Sequence, residues 1–191
     1  MKRLLIVGAG GHGRSVAEAV LAGGVFKLAG FVDDAAPGLR QVWDWPVFGS
    51  TAELDRCRQH ADAAIVAMGN NRLREELHHR LGAAGFELAT VIHPQAMVSP
   101  RARIGVGSAV MAGAIVGTEA QLGTGVIVNC GAVVDHHCQV EDFGHLGVKA
   151  GMAGGSVLGH GAWMQAGAVL GYGVRVVAGV VLQPGQAVVE K

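Results

Sequence analysis

Through the second half of the chain an aliphatic residue returns at every sixth position. Counting from Ile92, the series runs through Val98, Ile104, Val110 and Val116 and continues without a slip to Leu182 and Val188, 17 positions in all. A period of six matches neither the 3.6-residue turn of an α-helix nor the two-residue alternation of a flat strand. It matches a chain wound as a triangular prism, one hexapeptide to a side, so that three hexapeptides close a coil and each aliphatic residue stacks over its counterpart one coil earlier. The residue after the aliphatic one is often glycine, as at Gly105, Gly117, Gly123 and Gly147. Four residues beyond it, small or β-branched residues such as Ala114, Ala120, Val126 and Ala132 are suited to filling the corners. Glycine is expected to let the chain turn at each vertex with positive φ.

The first half has a different pattern. Leu4–Val7 is a short apolar strand that runs into Gly8-Ala9-Gly10-Gly11-His12-Gly13, after which Arg14–Leu21 reads as a helix closed by Gly23-Gly24. Phe26–Val32 and Ala63–Met68 are further strands, and Phe86–Ile92 is a last one. Asn71–Ala84 is a polar-faced helix. Ser50 and Glu53 have the spacing of a capping box and predict a helix to about Gln59. Strands alternating with helices imply a parallel sheet, here half the size of a full dinucleotide-binding fold. The boundary is placed near His93-Pro94, which gives an α/β domain over 1–92 and a repeat domain over 93–191.

Composition sharpens the division. Residues 1–90 hold 10 of the 15 Lys/Arg and 10 of the 15 Asp/Glu, while the repeat half holds 19 of the 31 glycines. The formal net charge of zero argues against nucleic acid or an anionic membrane as the main partner. No apolar run approaches a membrane span, and the apolar opening reads as a strand rather than a signal peptide. Cys57, Cys130 and Cys138 form no CxxC pair and are expected to be reduced thiols in a cytoplasm.

Two features carry candidate chemistry. The glycine loop lies between a strand and a helix, so its N–H groups can cradle phosphate; the plain alternative is a tight turn. Asp33 or Asp34, about 20 residues on, stands where an acid that binds ribose is expected. His136 falls two residues after the aliphatic Val134, on an outward position. It is a surface histidine or, near neutral pH, a general base. His136-His137-Cys138 with Cys130 does not have standard zinc spacing, and no metal is expected.

The hexapeptide period resembles the hexapeptide-repeat acyltransferases, whose fold is the left-handed parallel β-helix. Joined to the Gly8–Gly13 loop, Phe31-Val32-Asp33-Asp34, Met68-Gly69-Asn70-Asn71, Ile92-His93-Pro94 and Val133-Val134-Asp135-His136, it resembles the bacterial sugar acetyltransferases of the PglD/NeuD type. The resemblance implies acetyl transfer from acetyl-CoA to a nucleotide-linked 4-amino sugar, or to a sugar hydroxyl as in sialic acid O-acetylation, by a homotrimer with sites between subunits. A non-catalytic sugar-nucleotide-binding trimer and a γ-type carbonic anhydrase are the alternatives. It assigns Gly10, Gly11, His12, Asp33, Asp34 and Gly69 to the nucleotide sugar and Asn129 to the acceptor. His136 is the base, and His145, Gly154, Ala166 and Pro184 fall to acetyl-CoA. His145, half a coil from His136, should meet it only across a subunit boundary. In the family the residue after the base is commonly acidic, but here it is His137, so either another acid such as Asp135, Glu141 or Asp142 substitutes, or the activity is weak, or the reaction has diverged. Relatives continue in a tail that covers the cofactor. Ending at Val188-Val189-Glu190-Lys191 predicts weaker acetyl-CoA binding.

Overall fold

The computed structural model describes residues 1–189. Glu190 and Lys191, on which the expectation about the tail partly rests, lie outside the described residues.

The α/β half is built on four parallel strands: β1 (Arg3–Val7), β2 (Lys27–Val32), β5 (Ala63–Val66) and β6 (Glu87–Leu88), in the spatial order β2-β1-β5-β6. A short antiparallel pair, β3 (Gln41–Val42) and β4 (Trp45–Pro46), follows β2. Helix α1 (Gly11–Gly23) begins three residues earlier than the apolar pattern predicts, because Gly10 already accepts from Arg14 N–H at 3.0 Å. It closes on Gly24 in the left-handed region at φ 62°. Helix α2 spans Asn71–Ala83 and is capped by the Asn70 side chain, which accepts from Leu73 N–H. Thr51–Gln59 is a 3₁₀ helix rather than an α-helix. Its two buried side chains, Leu54 and Cys57, are three residues apart, and the three-residue turn lines them up on one face. The reach-back of the capping box is present: Ser50 N–H donates to the Glu53 carboxylate at 3.2 Å.

From Val91 onward the chain forms two-residue parallel strands, each paired with the strand one coil away; Ile115–Val116, for example, pairs with Val133–Val134. The strands stack into three sheets. The first face runs from Val91–Ile92 to Val181–Leu182, the second from Met97–Val98 to Ala187–Val188, and the third from Arg103–Ile104 to Arg175–Val176. The second residue of each strand points inward. Val110, Val128, Leu146 and Met164 are fully buried, with Ala114, Ala132, Ala150 and Ala168 filling the corners. Because Val91–Ile92 pairs with Ala109–Val110, the first rung of the prism begins before the junction placed at 92/93.

Most glycines of this half fall into two columns, with Gly144, Gly151 and Gly154 outside them. Those directly after the aliphatic residue are not the left-handed ones. They are needed for close stacking: a Cβ on Gly105 would lie 2.4 Å from the Gly123 carbonyl oxygen. The left-handed position is three residues after the aliphatic one, where Gly107, Gly113, Gly131 and Gly167 have φ between 66° and 73°.

The three outward surfaces differ. The first face is covered by the α/β half, which buries Val91, Ala109 and Ile127. On the second face the outward series is Met97, Ile115, Val133, Gly151, Val169 and Ala187, without a charge. The third presents Arg103, Gln121, Gln139, Val157 and Arg175. No helix among the described residues is long and apolar enough to cross a membrane.

Candidate functional site

The glycine loop sits at the seam between the two halves. Gly8 takes φ 110°, and its N–H donates to the Val32 carbonyl at 2.8 Å. Gly13 packs so tightly on Gly8 that a Cβ there would meet the Gly8 oxygen at 1.9 Å. Gly10 and Gly11, by contrast, face open space. No acidic residue occupies the first turn of α1, so its N-terminal N–H groups present a positive pole suited to an anion. Asp33 accepts from Ala9 N–H at 2.7 Å and from Ala35 N–H at 2.9 Å, which holds the loop in place. Asp34 accepts from Thr51 N–H at 2.7 Å.

Arg74 of α2 fastens this seam. Its guanidinium is buried and donates to the carbonyls of Gly125 at 2.8 Å, Phe143 at 2.6 Å and Met68 at 3.0 Å. Burial lowers its pKa to about 10. His12 and His145 lie within its field. Desolvation first, then the Arg74 charge, push the His12 pKa down to about 4. The same two causes, with a further push from His12, take His145 to about 3. A Cβ on Gly69 would touch the His145 ring at 3.8 Å. The His145 ring stacks on Trp163, centroids 5.1 Å apart. His12 Nε2, His145 Nδ1 and Trp163 Nε1 are the buried side-chain nitrogens without a hydrogen-bond partner among the described residues. Three such atoms beside an anion-ready helix terminus are open valences for a polar ligand.

His136 stands elsewhere, at the vertex joining the second and third faces. That vertex is opposite the first face, where His145 sits, so one chain does not bring the two together. Gly154 lies directly against His136, since a Cβ there would fall 2.6 Å from His136 Nε2. Tyr172, a further coil along, flanks the ring at 5.8 Å between centroids. Asp135 accepts from His136 N–H at 2.7 Å, and its other oxygen is 3.8 Å from His136 Nε2. His136 Nδ1 lies 3.0 Å from His137 Nδ1, and His137 Nε2 lies 2.9 Å from the Glu119 carboxylate.

The vertex between the first and second faces carries Asn129, Ala166 and Pro184. Asn129 is half-buried and accepts from Cys130 N–H at 2.8 Å, while Ala166 and Pro184 are exposed. Of the acids expected to support His136, two are engaged at the remaining vertex: Glu141 accepts from His160 N–H at 2.9 Å and Asp142 from Thr124 N–H at 2.7 Å. Neither substitutes, because the prism turns them away from His136. Glu119, Arg74, Trp163 and Tyr172 escaped the reading of the sequence. Three of them were signalled by the coil length: Glu119 precedes His137 by one full coil, Trp163 follows His145 by one, and Tyr172 follows Gly154 by one. No group of three or more His, Cys, Asp or Glu with metal-binding geometry occurs among the described residues.

Comparison with known proteins places this architecture. Residues 3–81 match the family described as the PglD N-terminal domain. A perosamine N-acetyltransferase from Caulobacter crescentus, solved as a histidine variant with CoA and GDP-perosamine, is 38% identical with a TM-score of 0.93. The match covers 98% of this chain and 89% of that one. The acetyltransferase domain of PglB from Neisseria gonorrhoeae, solved with acetyl coenzyme A, is 37% identical, with a TM-score of 0.91 and coverage of 99% and 93%. UDP-N-acetylbacillosamine N-acetyltransferase of Bacillus subtilis is 36% identical over 113 residues, which span 59% of this chain and 52% of that relative.

Proposed function

The chain belongs to the PglD-type bacterial sugar acetyltransferases, and from that membership we propose that it transfers the acetyl group of acetyl-CoA to the amine of a nucleotide-linked 4-amino sugar. The observation that carries this reading is the same two-part architecture, over nearly the whole chain, in an acetyltransferase that holds CoA and GDP-perosamine.

The roles carry over from the family resemblance, and the open glycine loop and the exposed His136 ring support two of them. The N-terminus of α1, with Gly10, Gly11 and His12, takes the diphosphate. Asp33 holds that loop, Asp34 and Gly69 border it, and Asn129 lies toward the acceptor. His145, Gly154, Ala166 and Pro184 border the path of acetyl-CoA. His136 Nε2 accepts a proton from the sugar amine as its nitrogen attacks the thioester carbonyl. The C–N bond forms, the C–S bond breaks, and the departing thiolate recovers the proton from the imidazolium.

The active unit is a homotrimer. Within one chain the glycine loop and His136 lie on opposite sides of the prism, which supports a site shared between subunits. The charge-free second face is the surface available for that neighbour. The compartment is the cytoplasm, where acetyl-CoA and nucleotide sugars meet.

A thiol-release assay across UDP-, dTDP- and GDP-linked 4-amino sugars, with hydroxyl acceptors alongside, tests the reading. Turnover with an amino sugar supports it. Turnover with hydroxyl acceptors alone assigns O-acetylation, and binding without thiol release assigns a binding protein. His136→Ala should lower kcat by roughly 10²–10⁴-fold, the scale of a positioned base.

A further inference from the structure

One proton must lie between the two Nδ1 atoms of His136 and His137, and the surroundings decide which ring carries it. A carboxylate can only accept, so His137 donates to Glu119 from Nε2, at 2.9 Å. A neutral imidazole has one N–H, which leaves a lone pair on His137 Nδ1. That lone pair can only accept, so across the 3.0 Å contact His136 donates from Nδ1. His136 is left with its lone pair on Nε2, the nitrogen that faces away from His137.

We propose that Glu119, acting through His137, is a positioning residue that sets His136 in the tautomer able to accept the substrate's proton. This rests on the reading of His136 as the base. The chain thereby reaches by two steps, carboxylate to imidazole to imidazole, what an acidic residue directly after the base reaches in one.

The backbone supports the assignment. Glu119 and His137 occupy successive rungs of one vertex column at φ 59° and 58°, and Gly155 and Gly173 continue that column at 68° and 69°. Side chains in the left-handed region are costly where glycine is at home. Here the column carries side chains at the two rungs that form the contact between Glu119 and His137. His137 N–H donates to the Thr118 carbonyl at 2.9 Å, which locks one rung over the other. Asp135 does not replace Glu119, because it approaches Nε2 at 3.8 Å and so stands on the substrate's side of the ring.

Glu119→Gly is the informative variant, since glycine suits the turn and removes the carboxylate without disturbing it. The expected result is a roughly 10-fold lower kcat, the lower range for an outer partner of a functional histidine, with KM for both substrates little changed. Nitrogen-15 spectra should show His136 protonated at Nδ1 in the parent and a mixture of tautomers in Glu119→Gly. In the double variant Glu119→Gly/His137→Glu, a carboxylate accepts from His136 Nδ1 directly, and the lost rate should return. A purely structural role would not be rescued that way. The proposal is overturned if Glu119→Gly keeps the parent's kcat while His136→Ala loses it, or if the His136 tautomer is the same with and without Glu119. If His136→Ala itself retains the parent's rate, the reading of His136 as the base fails instead, and the spectra still decide whether Glu119 controls the tautomer.

Discussion

His12 and His145 lie in a dry seam under a buried guanidinium; His136 and His137, nine or fewer residues from His145 in sequence, lie on an open vertex between two carboxylates. In the seam, burial and the Arg74 charge keep both rings neutral at any physiological pH, so they can serve as fixed hydrogen-bond partners but not as proton carriers. On the vertex the side chains of His136 and His137 are 41% and 61% exposed, with Asp135 and Glu119 at hand for whichever ring becomes charged. The same side chain is thus committed to two tasks by what surrounds it. Burial under a cation keeps one pair neutral, and the vertex holds the other pair against water and two carboxylates.

The contrast can be broken most forcefully at Arg74. Arg74→Met should cost roughly 3–5 kcal/mol, because the carbonyls of Gly125, Phe143 and Met68 lose their donor and the seam loses two of its bonds between the halves. Chemical denaturation measures that loss. The same variant should let His12 and His145 take up protons at higher pH, which proton NMR titration would detect.

Next in size is a paired substitution. His145→Ala removes a buried ring stacked on Trp163 and should cost roughly 2–4 kcal/mol. His136→Ala, on the vertex, should change stability by no more than about 0.5 kcal/mol. Equal losses at the two sites would end the distinction drawn between them.

The effect of pH is graded and accumulates over two sites. In the folded chain His12 and His145 resist protonation down to about pH 4 and about pH 3, whereas an unfolded histidine takes its proton near 6.5. Below 6.5 the unfolded chain therefore binds more protons, and stability falls as pH drops toward 4. The slope reaches at most about 1.4 kcal/mol per pH unit for each site. Above about pH 7 these two groups add no slope. A melting series from pH 8 to 4 should show the decline, and it should be shallower in Arg74→Met.

A small change is also expected in the stability of Glu119→Gly. Relief of a left-handed side chain offsets the extra freedom of the unfolded glycine, so melting should move by less than about 1 kcal/mol. A large loss of stability would mean that Glu119 holds the turn together rather than His137.

How much could be read in advance differs between the same regions. The six-residue spacing revealed the prism because each aliphatic position reports its own burial, and 17 of them repeat one message. Three α/β strands were legible for the same local reason, apart from their ends; the pair Gln41–Val42 and Trp45–Pro46 was not, and the single strand expected over Phe86–Ile92 is Glu87–Leu88 in the α/β sheet and Val91–Ile92 in the prism. The 3₁₀ helix at Thr51–Gln59 was not, since a capping box marks a start and says nothing of the pitch that follows. Glu119 and Trp163 were missed because their partners are one coil away. Along the flat sequence a full coil is a long distance; on the prism it is one strand spacing. Arg74 had no signal at all, because an arginine in a polar-faced helix looks the same whether water or three carbonyls receive it.

The strict stacking of rungs also makes the chain a counting device. A deletion of one residue would turn the aliphatic positions outward from that point on. Removing residues 151–156 would keep every later aliphatic side chain inside yet rotate all later rungs by a third of a turn. Trp163 would leave His145 for the third face, and Val169 would take its place. Removing a whole coil instead returns each later face to its original side. The gene can therefore lengthen or shorten this half in whole coils, but a change of a single hexad preserves the core and scrambles the address of every functional group beyond it.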